Sequence, residues 1–308
     1  MAFDLYLAGG ARKEIHEKLH ERGCCKLYSQ LRERSHIKHW INLGIENDKY
    51  CKTFVDSGAF SAWTKGVELD VDDYINFINS YGEHLEVFAS VDNIPGRFDR
   101  RPTLEERKAS PELTWENYLY MRERINYKEK LLPTFHLGED FKSLQHMLNT
   151  KLDGKYIPYI ALGGTVGMSI PIKKKWYSTV FKVIKESKNP NVKIHAFGMT
   201  SFDILEAYPF YSADSTSWRM TAVYGFILTE HGQIKVSDRA SADDINTFDN
   251  LNIKQQDDIL GRLKELDVTL EQCQTDAEIR AYVNAMYQLD WADNYKYKGN
   301  NRYQKTLF

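Results

Sequence analysis

Short apolar segments recur along the chain, and each is followed by small or polar residues and then by a stretch with helical spacing. This alternation is typical of βαβ units and predicts a parallel sheet. The predicted strands lie at 3–7, 54–55, 85–91, 131–135, 156–162, 193–197, 210–213 and 224–228. The clearest helical patterns between them lie at 70–82, 113–126, 140–150, 173–188 and 201–207.

Eight such units within about 230 residues favour a (β/α)₈ barrel over an open sheet. The eighth segment leads into TEHGQIKV, which has the pattern of a hairpin around His231 and Gly232. Residues 1–237 are therefore predicted to form the barrel. Residues 238–308 are charged, carry amphipathic spacing and are predicted to form a C-terminal helical appendage packed on it.

Polar and small residues follow five of these predicted strands, at the end where barrels carry their chemistry. We expect these side chains to meet at one mouth: Asp56, Asp92, His136, Gly163, Gly164 and Asp214. Each also has an ordinary structural interpretation. The two segments Asp56-Ser57 and Asp214-Ser215 resemble helix caps, and Asp92 begins a turn-like DNIPG. Taken singly, none of these residues decides the function.

Composition excludes several classes of protein. The four cysteines are scattered and form no CxxC motif, which argues against a disulfide framework and a structural zinc site. Clustered histidine ligands of a metal hydrolase are also missing, so we expect no metal and no cofactor. No apolar run is long enough to span a membrane, and MAFDLYLAGG lacks a signal-peptide pattern. We therefore expect a cytoplasmic protein.

Charge gives no global sign of nucleic-acid binding, since the net charge is −2. Any such contact must come from a local patch. The tail YKYKGNNRYQK, from Tyr295, places cations among aromatic residues, a combination that suits phosphate and base contacts. A run of three lysines at 173–175 is more typical of a solvated helix face.

Four segments, taken in order, resemble the guanine transglycosylase family. They are DSGAF, ASVDN, IALGGTVG and FGMTSFDILEAYPFYSADSTSW, and the resemblance covers about 53–240. The family includes the queuine tRNA-ribosyltransferases and the 7-deazaguanine transglycosylases that modify phage and bacterial DNA. Its members are barrels that exchange guanine for a 7-deazaguanine without a cofactor.

The resemblance implies a role for each matched position. Asp214 looks like the nucleophile of the family, Asp56 like its general acid and base, and Asp92 like the residue that reads guanine. Further contacts to the base are expected from Ser57, His136, Gly163 and Gly164. Contacts to the nucleic-acid backbone are expected from Arg219, Lys296, Lys298 and Arg302.

Three departures from the family pattern affect the expected substrate. His136 stands where the family usually has Gln, and the residues that follow Asp214 differ from those of the tRNA enzymes. Only Cys273 lies where those enzymes have a three-cysteine, one-histidine zinc site, so we expect no zinc subdomain. These departures favour DNA, with tRNA as the alternative, and a free 7-deazaguanine as the second substrate. The need for an accessory protein stays open.

A non-catalytic partner subunit of a transglycosylase heterodimer is a further alternative. Such subunits lose the nucleophile, whereas Asp214 and Asp56 are both present here. The sequence therefore predicts an active glycosyltransferase, encoded by a phage if the DNA resemblance holds.

Overall fold

A computed structural model describes residues 3–238 and 246–299. Its main feature is a nearly closed sheet of nine parallel strands, in the order β5-β4-β3-β2-β1-β11-β10-β9-β6. Two antiparallel hairpins, β7–β8 and β12–β13, stand apart from it. The strands are β1 (Asp4–Ala8), β2 (Cys25–Ser29), β3 (Thr53–Asp56), β4 (Val87–Ala89), β5 (Leu131–Leu132), β6 (Thr134–His136), β7 (Lys151–Leu152), β8 (Lys155–Tyr156), β9 (Tyr159–Gly163), β10 (Lys193–Ala196), β11 (Ser212–Ser215), β12 (Phe226–Thr229) and β13 (Gly232–Lys235).

The two ends of the sheet meet at one proline. β5 pairs with β4, and β6 pairs with β9 on the other side, with only Pro133 between β5 and β6. Proline has no N–H to donate to a ladder, which interrupts the strand at that residue. Its carbonyl still accepts a hydrogen bond from Ala161 N–H at 2.9 Å. The fold is thus a mixed α/β, nearly closed barrel, which is compatible with the (β/α)₈ barrel that the sequence predicts.

Residues alternate between the inside of the barrel and the helical layer. The interior is filled by Tyr6, Ala8, Leu27, Phe54, Val87, Ala89, Leu132 and Ala161. Their neighbours along each strand pack outward into a larger core beneath the helices. Because both faces of the strands are buried, the strands appear in the sequence as short, nearly continuous apolar runs.

Helices follow most strands and cover the outside of the barrel. They are α1 (Lys13–Arg22), α2 (Gln30–Glu46), α3 (Ala59–Lys65), α4 (Val71–Tyr81), α5 (Leu104–Arg124), α6 (Phe141–Asn149), α7 (Ile170–Glu186), α8 (Phe202–Ala207), α9 (Ser217–Val223), α10 (Ile253–Glu265), α11 (Leu270–Thr275) and α12 (Ala277–Asp293). Short 3₁₀ helices lie at Gly82–His84, Lys128–Lys130 and Phe248–Asn250.

Local sequence signals account for the ends of several helices. The side chain of Asp70 caps α4 by accepting a hydrogen bond from Asp73 N–H, and α4 buries Tyr74, Phe77 and Ile78 at helical spacing. Thr103 and Glu106 form a reciprocal capping box at the start of α5. The predicted helix at 113–126 is therefore longer than expected, since α5 begins at Leu104.

One barrel strand was missing from the prediction, and one predicted strand lies elsewhere. The missing strand is β2, whose second residue, Lys26, is fully buried and donates a hydrogen bond to the Gly9 carbonyl at 2.5 Å. A buried lysine breaks the apolar run that predicts a strand. The predicted eighth strand at 224–228 instead forms β12 of the separate hairpin. The prediction that this segment belongs to the barrel was therefore wrong.

The C-terminal helices pack against the last part of the barrel. On α12, the buried side chain of Asn284 donates to the Trp218 carbonyl of α9 and accepts from Leu228 N–H of β12. Arg280 donates to the Ala222 carbonyl at 2.8 Å. These buried polar contacts fix α12 on α9. None of the described helices is long and apolar enough to cross a membrane.

Candidate functional site

Three carboxylates lie at the carboxyl ends of barrel strands. Asp56 ends β3, Asp214 lies near the end of β11, and Asp92 follows β4. Parallel strands bring these ends to one mouth. The charges of Asp92 and Asp214 both raise the pKa of Asp56, which places all three groups within electrostatic reach of each other. The structure therefore brings together the acidic residues that the sequence singled out.

Asp214 is held by one oxygen only. Its Oδ1 accepts a hydrogen bond from Gly198 N–H at 2.8 Å and lies 3.3 Å from His195 Nε2. Its Oδ2 has no hydrogen-bond partner among the described residues, and 8% of the side chain is exposed. The carboxylate is thus oriented by two donors, while the second oxygen is available to a substrate.

A buried relay fixes the protonation of His195. The His195 Nδ1 and the Ser212 hydroxyl are 2.5 Å apart, and the Ser212 hydroxyl is 2.5 Å from the Tyr159 hydroxyl. One direction satisfies every group: Tyr159 donates to Ser212, Ser212 donates to Nδ1, and Nε2–H donates to Asp214. A neutral imidazole with its proton on Nε2 is therefore the form that this geometry selects.

Aromatic rings surround this relay. The His195 ring lies 4.6 Å from Phe54, 4.7 Å from Phe197 and 6.0 Å from Tyr6, measured between centroids. Burial among these rings lowers the pKa of His195, although Asp214 acts in the opposite direction. Asp214 is itself buried, so the two hydrogen bonds to Oδ1 lie in an environment where they are stronger than in water.

Gly198 supplies one of the two donors because of its backbone conformation. Its φ of +59° lies in the left-handed region that favours glycine. A Cβ at this position would lie 2.7 Å from Cγ2 of Val166, in the loop after β9. Glycine at 198 therefore allows the loop to approach and the N–H to point at Asp214.

Asp56 has the properties of an acid and base at neutral pH. Burial, and after it the charge of Asp92, raise its pKa to about 7; the Gly58 N–H opposes this, and Asp214 adds a smaller increase. That N–H donates to Asp56 Oδ2 at 3.0 Å. A carboxyl group with a pKa near the operating pH can both give and take a proton. The neighbouring Ser57 uses its hydroxyl to accept a hydrogen bond from Ala59 N–H at 3.3 Å.

Asp92 and His136 form a charged pair beside Asp56. The His136 Nε2 lies 3.2 Å from Asp92 Oδ2, and its Nδ1 lies 2.9 Å from the Glu139 carboxylate. Burial acts to lower the pKa of His136, but the two carboxylates raise it to about 10, so the ring is protonated at pH 7. The other oxygen, Asp92 Oδ1, is buried without a partner among the described residues. A buried acceptor of this kind is costly unless a ligand supplies a donor.

The glycine pair after β9 makes room for the same histidine. The nearest atom of the His136 ring lies 2.8 Å from the position that a Cβ of Gly163 would take. Gly163 also accepts a hydrogen bond from Leu137 N–H at 3.1 Å. Gly164 packs against Leu137. The His136 ring thus occupies the space beside Gly163 that was expected to contact the base. A ligand would contact the other residues of the mouth instead.

The residues expected to contact phosphate lie in different places. Arg219, on α9 near the mouth, pairs with Glu278 at 2.6 Å. Lys298 pairs with Glu206 at the last turn of α8, and the nearby Tyr295 stacks on Phe3, just before β1. These contacts place Lys298 at the amino end of the barrel, away from the mouth. Lys296 is exposed in the same segment, and Arg302 lies outside the described residues.

His195 and Ser212 were not identified from the sequence. They occupy paired positions on β10 and β11, so their contact depends on strand register. The sequence did contain a signal for His195. This histidine interrupts the apolar segment KIHAF, and the alternation of residues along the strand places it on the side that faces the inside of the barrel.

Among the described residues, one group has the spacing to hold a metal ion: Glu230, His231 and Asp258. It lies at the turn of the β12–β13 hairpin and on α10, outside the parallel sheet whose strand ends carry the three aspartates. The His231 Nε2 already contacts Asp258 at 3.1 Å. The ion pair explains the cluster without a metal.

No protein-family model matches the chain, and no curated protein matches it significantly in sequence. The function must therefore be argued from the geometry of the mouth, together with the resemblance in its motifs.

Proposed function

We propose that the protein is a base-exchange transglycosylase that replaces guanine in a nucleic acid with a 7-deazaguanine. The observation that carries the proposal is Asp214, a carboxylate oriented through Oδ1 with its Oδ2 free, beside an Asp56 whose pKa is about 7. Substitution at a sugar carbon with retention needs these two groups, a nucleophile and a proton-transfer partner.

The first half of the reaction removes guanine. Asp214 Oδ2 attacks the anomeric carbon, and an ester bond to the sugar forms as the bond to the base nitrogen breaks. The leaving guanine takes the electron pair and receives a proton from Asp56, which is substantially protonated at neutral pH. Asp214 is then covalently bound to the nucleic acid.

The second half attaches the new base. The Asp56 carboxylate takes the proton from the ring nitrogen of the incoming 7-deazaguanine, and that nitrogen attacks the anomeric carbon. The ester bond breaks and returns the carboxylate of Asp214. A 7-deazaguanine carries carbon at position 7 and accepts no proton there, so it is a poorer leaving group than guanine. The exchange is therefore expected to run in one direction.

Asp92 is suited to recognise the base. Its buried Oδ1 lacks a donor, and guanine presents a ring N–H and an exocyclic amine on one edge. Adenine offers no such pair of donors and would leave the acceptor unsatisfied. The protonated His136 holds the other oxygen, Asp92 Oδ2, at 3.2 Å. His136 lies at the position where the guanine transglycosylase family usually has Gln, so a charged side chain here takes the place of a neutral one.

The fold supports the same assignment. If β5 and β6 are counted as one strand interrupted at Pro133, the barrel has eight strands in sequence order, as a (β/α)₈ barrel does. The three aspartates then occupy the end where such barrels carry their chemistry. DNA is the proposed acceptor because the chain resembles the DNA-modifying members more than the tRNA enzymes, and tRNA is the alternative.

A base-exchange assay tests the proposal. Purified protein is incubated with isotope-labelled guanine or a 7-deazaguanine, with DNA in one reaction and tRNA in another, and the digested nucleosides are identified by mass spectrometry. Label in DNA that is lost in Asp214→Asn supports the proposal. Label in tRNA alone keeps the chemistry and overturns the acceptor. Label in neither, with a folded protein, favours a non-catalytic subunit or an unrelated function.

A further inference from the structure

Three aromatic rings form a continuous surface beside the mouth. Trp63 lies 6.0 Å from Phe60 in a stacked arrangement and 5.6 Å from Phe98 in an edge-to-face one, measured between centroids. Its indole N–H donates to the Gly96 carbonyl at 3.2 Å, which joins α3 to the loop after β4. We call Phe60, Trp63 and Phe98 the aromatic rim.

The outer rings of the rim are exposed to an unusual degree. Phe60 is 66% exposed and Phe98 is 65% exposed. A contiguous patch of exposed aromatic rings marks a surface that a partner covers. The rim also lies on the segments that follow Asp56 and Asp92, so a molecule docked there reaches the catalytic carboxylates.

Arginines accompany the rim. Arg97 and Arg101 flank Phe98 on the loop after β4, and both are exposed. Arg97 makes only a 3.5 Å contact with Asp99, and the Arg101 side chain has no ion pair or hydrogen bond among the described residues. Arg100, in contrast, is bound to Glu106 and fixes the loop on α5. Two cations are thus available beside the exposed rings.

We propose that the aromatic rim with Arg97 and Arg101 binds a single strand of nucleic acid next to the nucleotide undergoing exchange. Bases stack on the rings, and the two arginines contact phosphates. This inference rests on the proposed function, because that function requires the target nucleotide to leave the duplex before it reaches the mouth. An unpaired flanking strand is the form in which bases are free to stack. Rings for stacking together with cations for phosphate are the combination by which proteins bind single strands.

Binding of a fluorescent single-stranded oligonucleotide tests the inference. Phe98→Ala is expected to weaken the affinity by about 5- to 150-fold, the effect of losing one stacked base. Arg101→Ala is expected to reduce the slope of log affinity against log salt by about 0.7, the release from one phosphate contact on a single strand. A blunt duplex of the same sequence should bind more weakly and respond less to either change.

Matched controls come from the other end of the barrel. Tyr50, just before β3, is 60% exposed there, and Lys185, in the last turn of α7, is also exposed, so Tyr50→Ala and Lys185→Ala remove the same kinds of group away from the rim. Both should bind the oligonucleotide as the wild type does. If these variants lose affinity while Phe98→Ala and Arg101→Ala keep it, the rim is not the binding surface. Concentration-dependent self-association that Phe98→Ala abolishes, with unchanged oligonucleotide binding, would assign the rim to a second copy of the chain.

The same variants separate this inference from the proposed function. Base exchange that proceeds at the wild-type rate at low oligonucleotide concentration in Phe98→Ala and Arg101→Ala overturns the rim and leaves the reaction intact. Strand binding that depends on the rim without any base exchange keeps the rim and overturns the reaction.

Discussion

His195 is expected to act as a positioning residue for Asp214. Its Nε2–H is one of only two donors to Asp214 among the described residues, and the relay through Ser212 and Tyr159 holds that proton in place. His195→Phe keeps the size and the aromatic contacts with Phe54 but removes the donor. Gly198 N–H alone would then orient the carboxylate.

The size of the effect follows from the loss of that bond. A buried hydrogen bond to a charged group contributes about 1.5–3 kcal/mol. If the bond is needed to present Oδ2 at the correct angle, the rate of covalent attack falls by about 10- to 150-fold. Affinity for the nucleic acid should not change, because His195 is fully buried and does not reach the surface.

Single-turnover formation of the covalent adduct measures this rate, and oligonucleotide binding is measured separately. His195→Gln is the conservative control, because the glutamine amide can donate from nearly the same position as Nε2. Ser212→Ala and Tyr159→Phe should have progressively smaller effects, since each removes a more distant part of the relay. An attack rate in His195→Phe equal to that of the wild type, in a protein with unchanged thermal stability, would refute the positioning role.

Three further changes probe the same mouth. Asp56→Asn should stabilise the protein by a few kcal/mol at pH 8 and little at pH 4. The pKa of Asp56 is raised in the folded state, so the contribution of this carboxyl to stability is lost as the pH rises from about 4 to about 7. Denaturant unfolding of both proteins at several pH values measures the difference in stability. The same variant should lose base exchange, a loss that thermal stabilisation makes distinguishable from unfolding. Asp92→Ala should reduce discrimination between guanine and adenine by at least about 100-fold, an effect larger than its effect on the free energy of unfolding. Unchanged selectivity in competition assays would remove the role of Asp92 as the base reader. Gly198→Ala should lower both the melting temperature and the attack rate, because its φ and the contact with Val166 disfavour a Cβ; wild-type values of both would contradict that argument.

Much of the fold was predictable because barrel strands are buried on both faces. The run TFV before Asp56 and the segment ending in Asp214 were identifiable from apolar character alone, and helix α4 from its spacing and cap. β2 was missed because Lys26 interrupts its apolar pattern. That lysine is accommodated by the Gly9 carbonyl and the ring of Trp218, two partners that only the folded chain brings together.

The acidic residues of the site could be predicted from the sequence, whereas the residues that orient Asp214 could not. Asp56, Asp92 and Asp214 each follow an apolar run, which is a local signal. The relay depends instead on register, which sets His195 beside Ser212, and on a side chain from the start of β9. The aromatic rim likewise depends on two loops that follow different strands, so its rings appear unrelated in the sequence.

The covalent intermediate at Asp214 is the most direct test of the proposed chemistry. The protein is mixed with a guanine-containing oligonucleotide, as DNA and as RNA in separate reactions, quenched, and examined by intact and peptide mass spectrometry. We predict an adduct on the peptide that carries Asp214, absent in Asp214→Asn and discharged when a free 7-deazaguanine is added. An adduct on another residue, or base exchange at the wild-type rate by Asp214→Asn, would contradict the proposed role of Asp214.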